Sequence, residues 1–99
     1  MGSGQQYVIV RCRDAGVHAG YLEDYSGRTC KLRDARRIWQ WVRCANTLSE
    51  LALTGISHDS KVAPSVPWIV LGDMAEIIPC SDTSRDTLLS CPVWRYSDA

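Results

Sequence analysis

The first forty residues carry the feature that most limits the fold: three strand-forming runs joined by turns too short for a crossover. YVIVRCR (7–13) is rich in β-branched residues, DAG (14–16) is a turn, and VHAGYLEDY (17–25) reads as the returning strand. SGR (26–28) turns again, and TCKLRDARRIWQWVR (29–43) supplies one or two further strands. Parallel neighbours need a connection of a dozen or more residues, so these runs must pair as antiparallel hairpins. Alternation puts Val8, Val10 and Cys12 on one face of the first strand and Tyr7, Ile9, Arg11 and Arg13 on the other. Gly20, inside a strand pattern, predicts a bulge or a close backbone approach.

Helical signals follow. In TLSELALTG, Thr47 and Glu50 form a T-x-x-E capping box, Leu48, Leu51 and Ala52 make an apolar stripe, and Gly55 is placed as the C-terminal αL residue. ISHDSKVAPS (56–65) reads as a polar, mobile loop. WIVLGDMAEIIPC (68–80) reads as a strand or strand–bend–strand. SDTSRDTLL (81–89) reads as a second short helix, N-capped by Ser81 or Asp82 and stopped before Pro92, and VWRY (93–96) as a last edge strand. The expected fold class is α+β, an antiparallel sheet with two short helices packed on it.

One domain over 7–96 accounts for a chain of 99 residues, 45% apolar and 22% charged. MGSGQQ (1–6) has neither the basic nor the apolar region of a signal peptide and is set aside as a frayed or expression-derived end. No apolar run approaches the roughly 18 residues that span a bilayer, so a cytoplasmic protein without a membrane partner is expected. The five cysteines show no C-x-x-C and no neighbouring His, which argues for buried free thiols and implies no metal and no cofactor.

The net charge of zero hides an asymmetry. Residues 1–43 hold eight basic against four acidic side chains, and residues 44–99 hold three against seven. Nine of the eleven cations are Arg, whose planar fork suits phosphate, carboxylate and ring stacking. A protein tracking long nucleic acid carries a net basic balance, so a local anion site fits better. If 36–43 is a strand, Arg37, Trp39, Trp41 and Arg43 share one side, opposite Arg36, Ile38, Gln40 and Val42. Core tryptophans are the ordinary reading of such a pair. Two arginines on the same face favour a stacking platform with charge-assisted donors, the combination that holds a base and its phosphates. The candidate ligand-binding set is therefore Trp39, Trp41, Arg36, Arg37 and Arg43, with Arg11 and Arg13 joining if the first strand neighbours the third. His18, beside a turn with Gly16 and Gly20, is added to it, although a lone His is more often a structural residue. The acidic pairs Glu23–Asp24 and Asp73–Glu76 read as turn and surface residues. No G-x-S-x-G, H-E-x-x-H or P-loop is present, and nothing suggests an enzyme.

In order along the chain, YVIVRCRDAGVHAGYLE, DARRIWQW, TLSELALTG and AEIIPC resemble a group of small phage and prophage proteins. These pair a V-R-x-x-x-x-G-V-x-A-G hairpin with an R-R-x-W-x-W stretch and an S-L-x-x-L-A-x-x-G-like helix, here Leu51, Ala52 and Gly55. The resemblance spans 7–96 and points to phage anti-defence proteins of the Thoeris anti-defence sponge kind. It implies a homo-oligomer that sequesters a cyclic nucleotide or cyclic ADP-ribose immune signal without cleaving it, in pockets of aromatics and arginines. Two other expectations stand beside it: a module that binds a host protein through the Arg/Trp face, and, less favoured, a binder of single-stranded nucleic acid.

Overall fold

The computed structural model of the chain describes residues 5–95. Its meander comprises β1 (Tyr7–Cys12), β2 (Val17–Ser26) and β3 (Thr29–Gln40), paired antiparallel. There follow α1 (Leu48–Thr54), β4 (Lys61–Val62), β5 (Val66–Leu71), β6 (Met74–Pro79) and α2 (Asp82–Ser90). The sheet order is β4-β3-β2-β1-β6, with β5 also beside β3. This is the α+β fold expected: a six-stranded antiparallel sheet carrying two helices.

The connection between β5 and β6 forces the sheet to curl. The two strands lie at opposite edges, yet only Gly72 and Asp73 separate them. Four strand spacings on a flat sheet would be about 19 Å, whereas three Cα steps reach about 11 Å at most. The curl divides the core in two. Val8, Val10, Cys12, Cys30, Leu32, Ala35 and Leu71 pack on one face. On the other, Tyr7, Ile9, Ala19 and Ile38 meet Leu51, Ala52 and Leu88 of the helices. β1 is thus buried on both faces, which is why its sequence is nearly continuous in apolar residues.

Gly20 fulfils both halves of its expectation. The β2–β3 register shifts between Ala19 and Tyr21, and a Cβ at Gly20 would stand 3.0 Å from the Arg33 carbonyl oxygen. In α1, Thr47 Oγ1 accepts from Glu50 N (3.1 Å), while the Glu50 carboxylate accepts from Asn46 N (2.8 Å), one residue before the usual capping-box partner. Ser81 caps α2 through Ser84 N (3.0 Å).

Gly55 ends α1 with φ 100° and ψ 179°, not in the expected αL basin but in a region essentially reserved for glycine. A methyl there would lie 2.5 Å from Thr87 Oγ1, which accepts from Ile56 N and ties α2 to the end of α1. Gly55→Ala is expected to cost about 2–3 kcal/mol and to lower the melting temperature by roughly 10–20 °C, read by thermal denaturation.

Several expectations need correcting. The stretch 29–43 holds one strand, one of the two readings its sequence allows, but that strand stops at Gln40 instead of reaching Arg43, because Ser60 Oγ accepts from Val42 N and Ser57 Oγ donates to Val42 O, drawing the chain away from the ladder. The segment 56–65 is no free polar loop: Ile56, Ser60 and Val62 are buried, and it contains β4. Of the edge strand over 93–96, only a parallel bridge from Val93 to Val62 forms, and Tyr96 lies outside the described residues. At the other end, residues 1–4 lie outside them too. Gln5 and Gln6 belong to the fold, since Gln6 O accepts from Leu22 N and Gln5 Oε1 accepts from Arg33.

Candidate functional site

Alternation on β3 sorts the Arg/Trp residues. Across the sheet, Ile9, Ala19 and Arg36 align in one row on the helix face, and Val10, His18 and Arg37 align in the next row on the opposite face. Arg36 is consequently 4% exposed. Its guanidinium donates to the carbonyls of Ala63 (2.8 Å), Leu88 (2.7 Å), Cys91 (2.9 Å) and Val62 (3.3 Å). Burial lowers its pKa, and no carboxylate pairs with it among the described residues. The last turn of α2 has no basic residue of its own, so Arg36 supplies the cation that the helix end favours. Arg36 is a strut of the fold and not a ligand group, contrary to the sequence reading.

Trp39 emerges on the open side, 65% exposed. Its ring stacks on Trp94 with centroids 6.0 Å apart and planes 19° from parallel. Trp94 is fixed by its backbone N–H to Val62 O (2.9 Å), and Lys61 Nζ lies 5.1 Å from its ring centre. Trp41, past the strand end, is half-buried against the helix-face core. Arg37, Trp39 and Trp41 line one cleft of about 280 Å³, whose far wall is the 14–17 turn. On the other flank of the ridge, Trp94 lines a cleft of about 470 Å³ with His58, Asp59, Ser60 and Lys61. The pair Trp39–Trp94 therefore stands as an aromatic ridge between two clefts, with Arg37 on one side and Lys61 on the other.

The remaining candidates are dispersed. Arg43, expected beside Trp41 in an extended strand, has φ 50° and forms an exposed ion pair with Asp59. Arg11 and Arg13 do not reach the Trp39 cleft, because β1 neighbours β2 and β6 instead of β3. Arg11 pairs with Glu76 (2.6 Å), and both arginines line a separate cleft with Arg28 and Asp73. Asp73 accepts from the backbone N–H groups of Asp14 (2.5 Å) and Ala15 (3.2 Å), which holds its pKa below the usual carboxylate range. Sequence reasoning missed Trp94 and Lys61: nothing local ties either to Trp39, and their meeting depends on β4 joining β3.

His18 is 1% exposed and its Nε2 lies 2.8 Å from Ala15 O. Burial, aided by the charge of Arg37, lowers its pKa below 6.5. A neutral buried imidazole stabilises the fold above its unfolded pKa. That contribution is lost as pH falls, because the unfolded chain takes up a proton that the folded one resists. The urea midpoint is expected to drop between about pH 7 and pH 5, and His18→Gln to flatten that slope.

Residues 5–88 match the family described as a domain of unknown function (DUF6948). The chain belongs to this family. In this DUF6948 chain the match takes in all six strands and most of α2, and stops short of Trp94. No curated protein matches the chain, and no solved structure matches it. Four of the five cysteines are buried and all are free, with burial pushing the Cys12 and Cys80 thiols up to about 11. Among the described residues, no helix is long and apolar enough to cross a membrane.

Proposed function

We propose that the protein is a non-enzymatic binder that sequesters a flat, phosphate-bearing nucleotide. The observation that carries this reading is the exposed face of Trp39, stiffened from behind by Trp94 and flanked by Arg37, which pairs with no carboxylate among the described residues. A base stacked on Trp39 gains sequence-tolerant aromatic contact, and a guanidinium beside it meets the phosphate as a bidentate donor. Lys61 sits over Trp94 and adds positive potential on the far flank. The motif resemblance supplies the setting: antagonism of a cyclic ADP-ribose or cyclic oligonucleotide immune signal in a host cytoplasm, whose reducing conditions suit five free thiols.

A cleft of about 280 Å³ covers only part of such a ligand. A second copy closing over it fits the proposal, and light scattering is expected to give a multiple of 11.0 kDa. A clean monomer at micromolar concentration contradicts that part. Val66, Trp68 and Val70, exposed in a row on β5, favour a second reading, a surface that docks another protein.

A thermal-shift series with cyclic ADP-ribose, ADP-ribose, a cyclic dinucleotide and a single-stranded oligonucleotide tests the nucleotide reading. A concentration-dependent rise with the small nucleotides and none with the oligonucleotide supports it. Silence towards all four favours the docking surface, and recovery of cleaved nucleotide after incubation rules out a binder that only sequesters.

A further inference from the structure

The cleft that Arg11 and Arg13 line has a volume of about 320 Å³ and lies at the seam where the curled sheet closes. Arg13 N donates to Asp73 O (3.0 Å), and Met74 N donates to Arg28 O (2.9 Å). That oxygen and that N–H belong to one trans peptide and point opposite ways. Arg13, just past β1, and Arg28, in the β2–β3 turn, therefore flank the β5–β6 turn on its two sides. Two strand spacings, roughly 10 Å, separate their backbones. Four of the six residues lining the cleft are charged: these two arginines, Arg11 and Asp73. Arg11 is matched by Glu76 (2.6 Å). Asp73 Oδ2 is taken by the backbone N–H groups of Asp14 and Ala15, and Asp14 itself lines the Trp39 cleft instead. Arg13 and Arg28 are exposed and pair with no carboxylate among the described residues. Two arginines against Asp73 leave one positive charge in excess, and an anion between the two relieves their mutual repulsion.

We infer that this cleft binds the phosphate end of a small phosphate monoester. A carboxylate has two oxygens, which a single arginine fork fills. A phosphate monoester has three terminal oxygens and close to two charges at neutral pH, enough to engage Arg13 and Arg28 together. The cleft is larger than a phosphate group alone requires, and Met74 and Ala75 leave an apolar wall for the body of the ester. The site shares no residue with either cleft beside the aromatic ridge.

The probes are glycerol 3-phosphate, inorganic phosphate and dimethyl phosphate, titrated into the full chain at constant ionic strength. Calorimetry reads the affinity, and the arginine Nε–H resonances in NMR read the place. Both dianions are expected to saturate at low millimolar concentration or below and to shift the Arg13 and Arg28 resonances. Dimethyl phosphate, with one charge and two terminal oxygens, should bind about tenfold more weakly or not at all. Arg13→Gln and Arg28→Gln should each weaken the ester by about tenfold or more while melting near wild type, since both side chains are exposed. Arg43→Gln removes the same charge elsewhere on the surface and should leave the affinity unchanged. No saturable binding of glycerol 3-phosphate at low millimolar concentration overturns the inference, as does equal binding of dimethyl phosphate. An equal loss in Arg43→Gln overturns it as a general charge effect. Loss in Trp39→Ala with Arg13→Gln unaffected overturns it too, by putting the phosphate on the ridge.

Discussion

Replacing Arg36 by alanine is expected to destabilise the fold by about 3–5 kcal/mol, a large share of what a small domain has. Four carbonyls from two segments, Val62–Ala63 and the end of α2, converge on one guanidinium at 2.7–3.3 Å. Hydrogen bonds to charged groups are worth about 1.5–3 kcal/mol each, and buried carbonyls left unpaired cost on the same scale, although the contributions are not additive. Chemical denaturation should show the loss as a lower midpoint with an unchanged slope. Arg36→Lys keeps the charge and should recover less than half, because one ammonium cannot span acceptors on Ala63, Leu88 and Cys91. A loss below about 1 kcal/mol would show that water takes over these carbonyls.

Trp39→Ala should do the reverse. With 65% of its surface exposed, the ring contributes little to the core, and the melting temperature should stay close to wild type. The affinity for a nucleotide probe such as cyclic ADP-ribose should fall by about 1–3 kcal/mol, or one to two decades, measured by titration calorimetry. Trp41→Ala provides the contrast: half-buried against the helix-face core, it should lower stability more than Trp39→Ala does. If Trp39→Ala melts like wild type and binds like it too, the ridge is not the site.

Much of this architecture was legible locally. Hairpin turns, the Thr47 and Ser81 caps and the Gly20 bulge each depend on a few neighbouring residues, and all three appear. Strand alternation separated Arg36 from Arg37, but alternation carries no information about which face the helices cover. Hence alternation alone places Arg36 among the ligand groups, whereas it is a buried strut. The strand end at Gln40 depends on hydroxyls of Ser57 and Ser60, and the Trp39 stack on a tail that returns beside β4. Those are tertiary events, and the run RRIWQW looks the same with or without them.

The two-residue link from β5 to β6 also bears on how the molecule assembles. β1, β2 and β3 zip locally, with short loops to close. β6 must find β1 across a separation of 65 residues at the Arg11–Glu76 contact, and β5 must find β3 at nearly the same moment, because Gly72 and Asp73 leave no slack between them. The loop-closure entropy of both pairings is met in one step late in the search, which places this chain among slow folders of high contact order. The same tether works in the opposite direction. Neither edge of the sheet can peel away while the other stays docked, so unfolding should proceed as one concerted event instead of fraying inward from an edge.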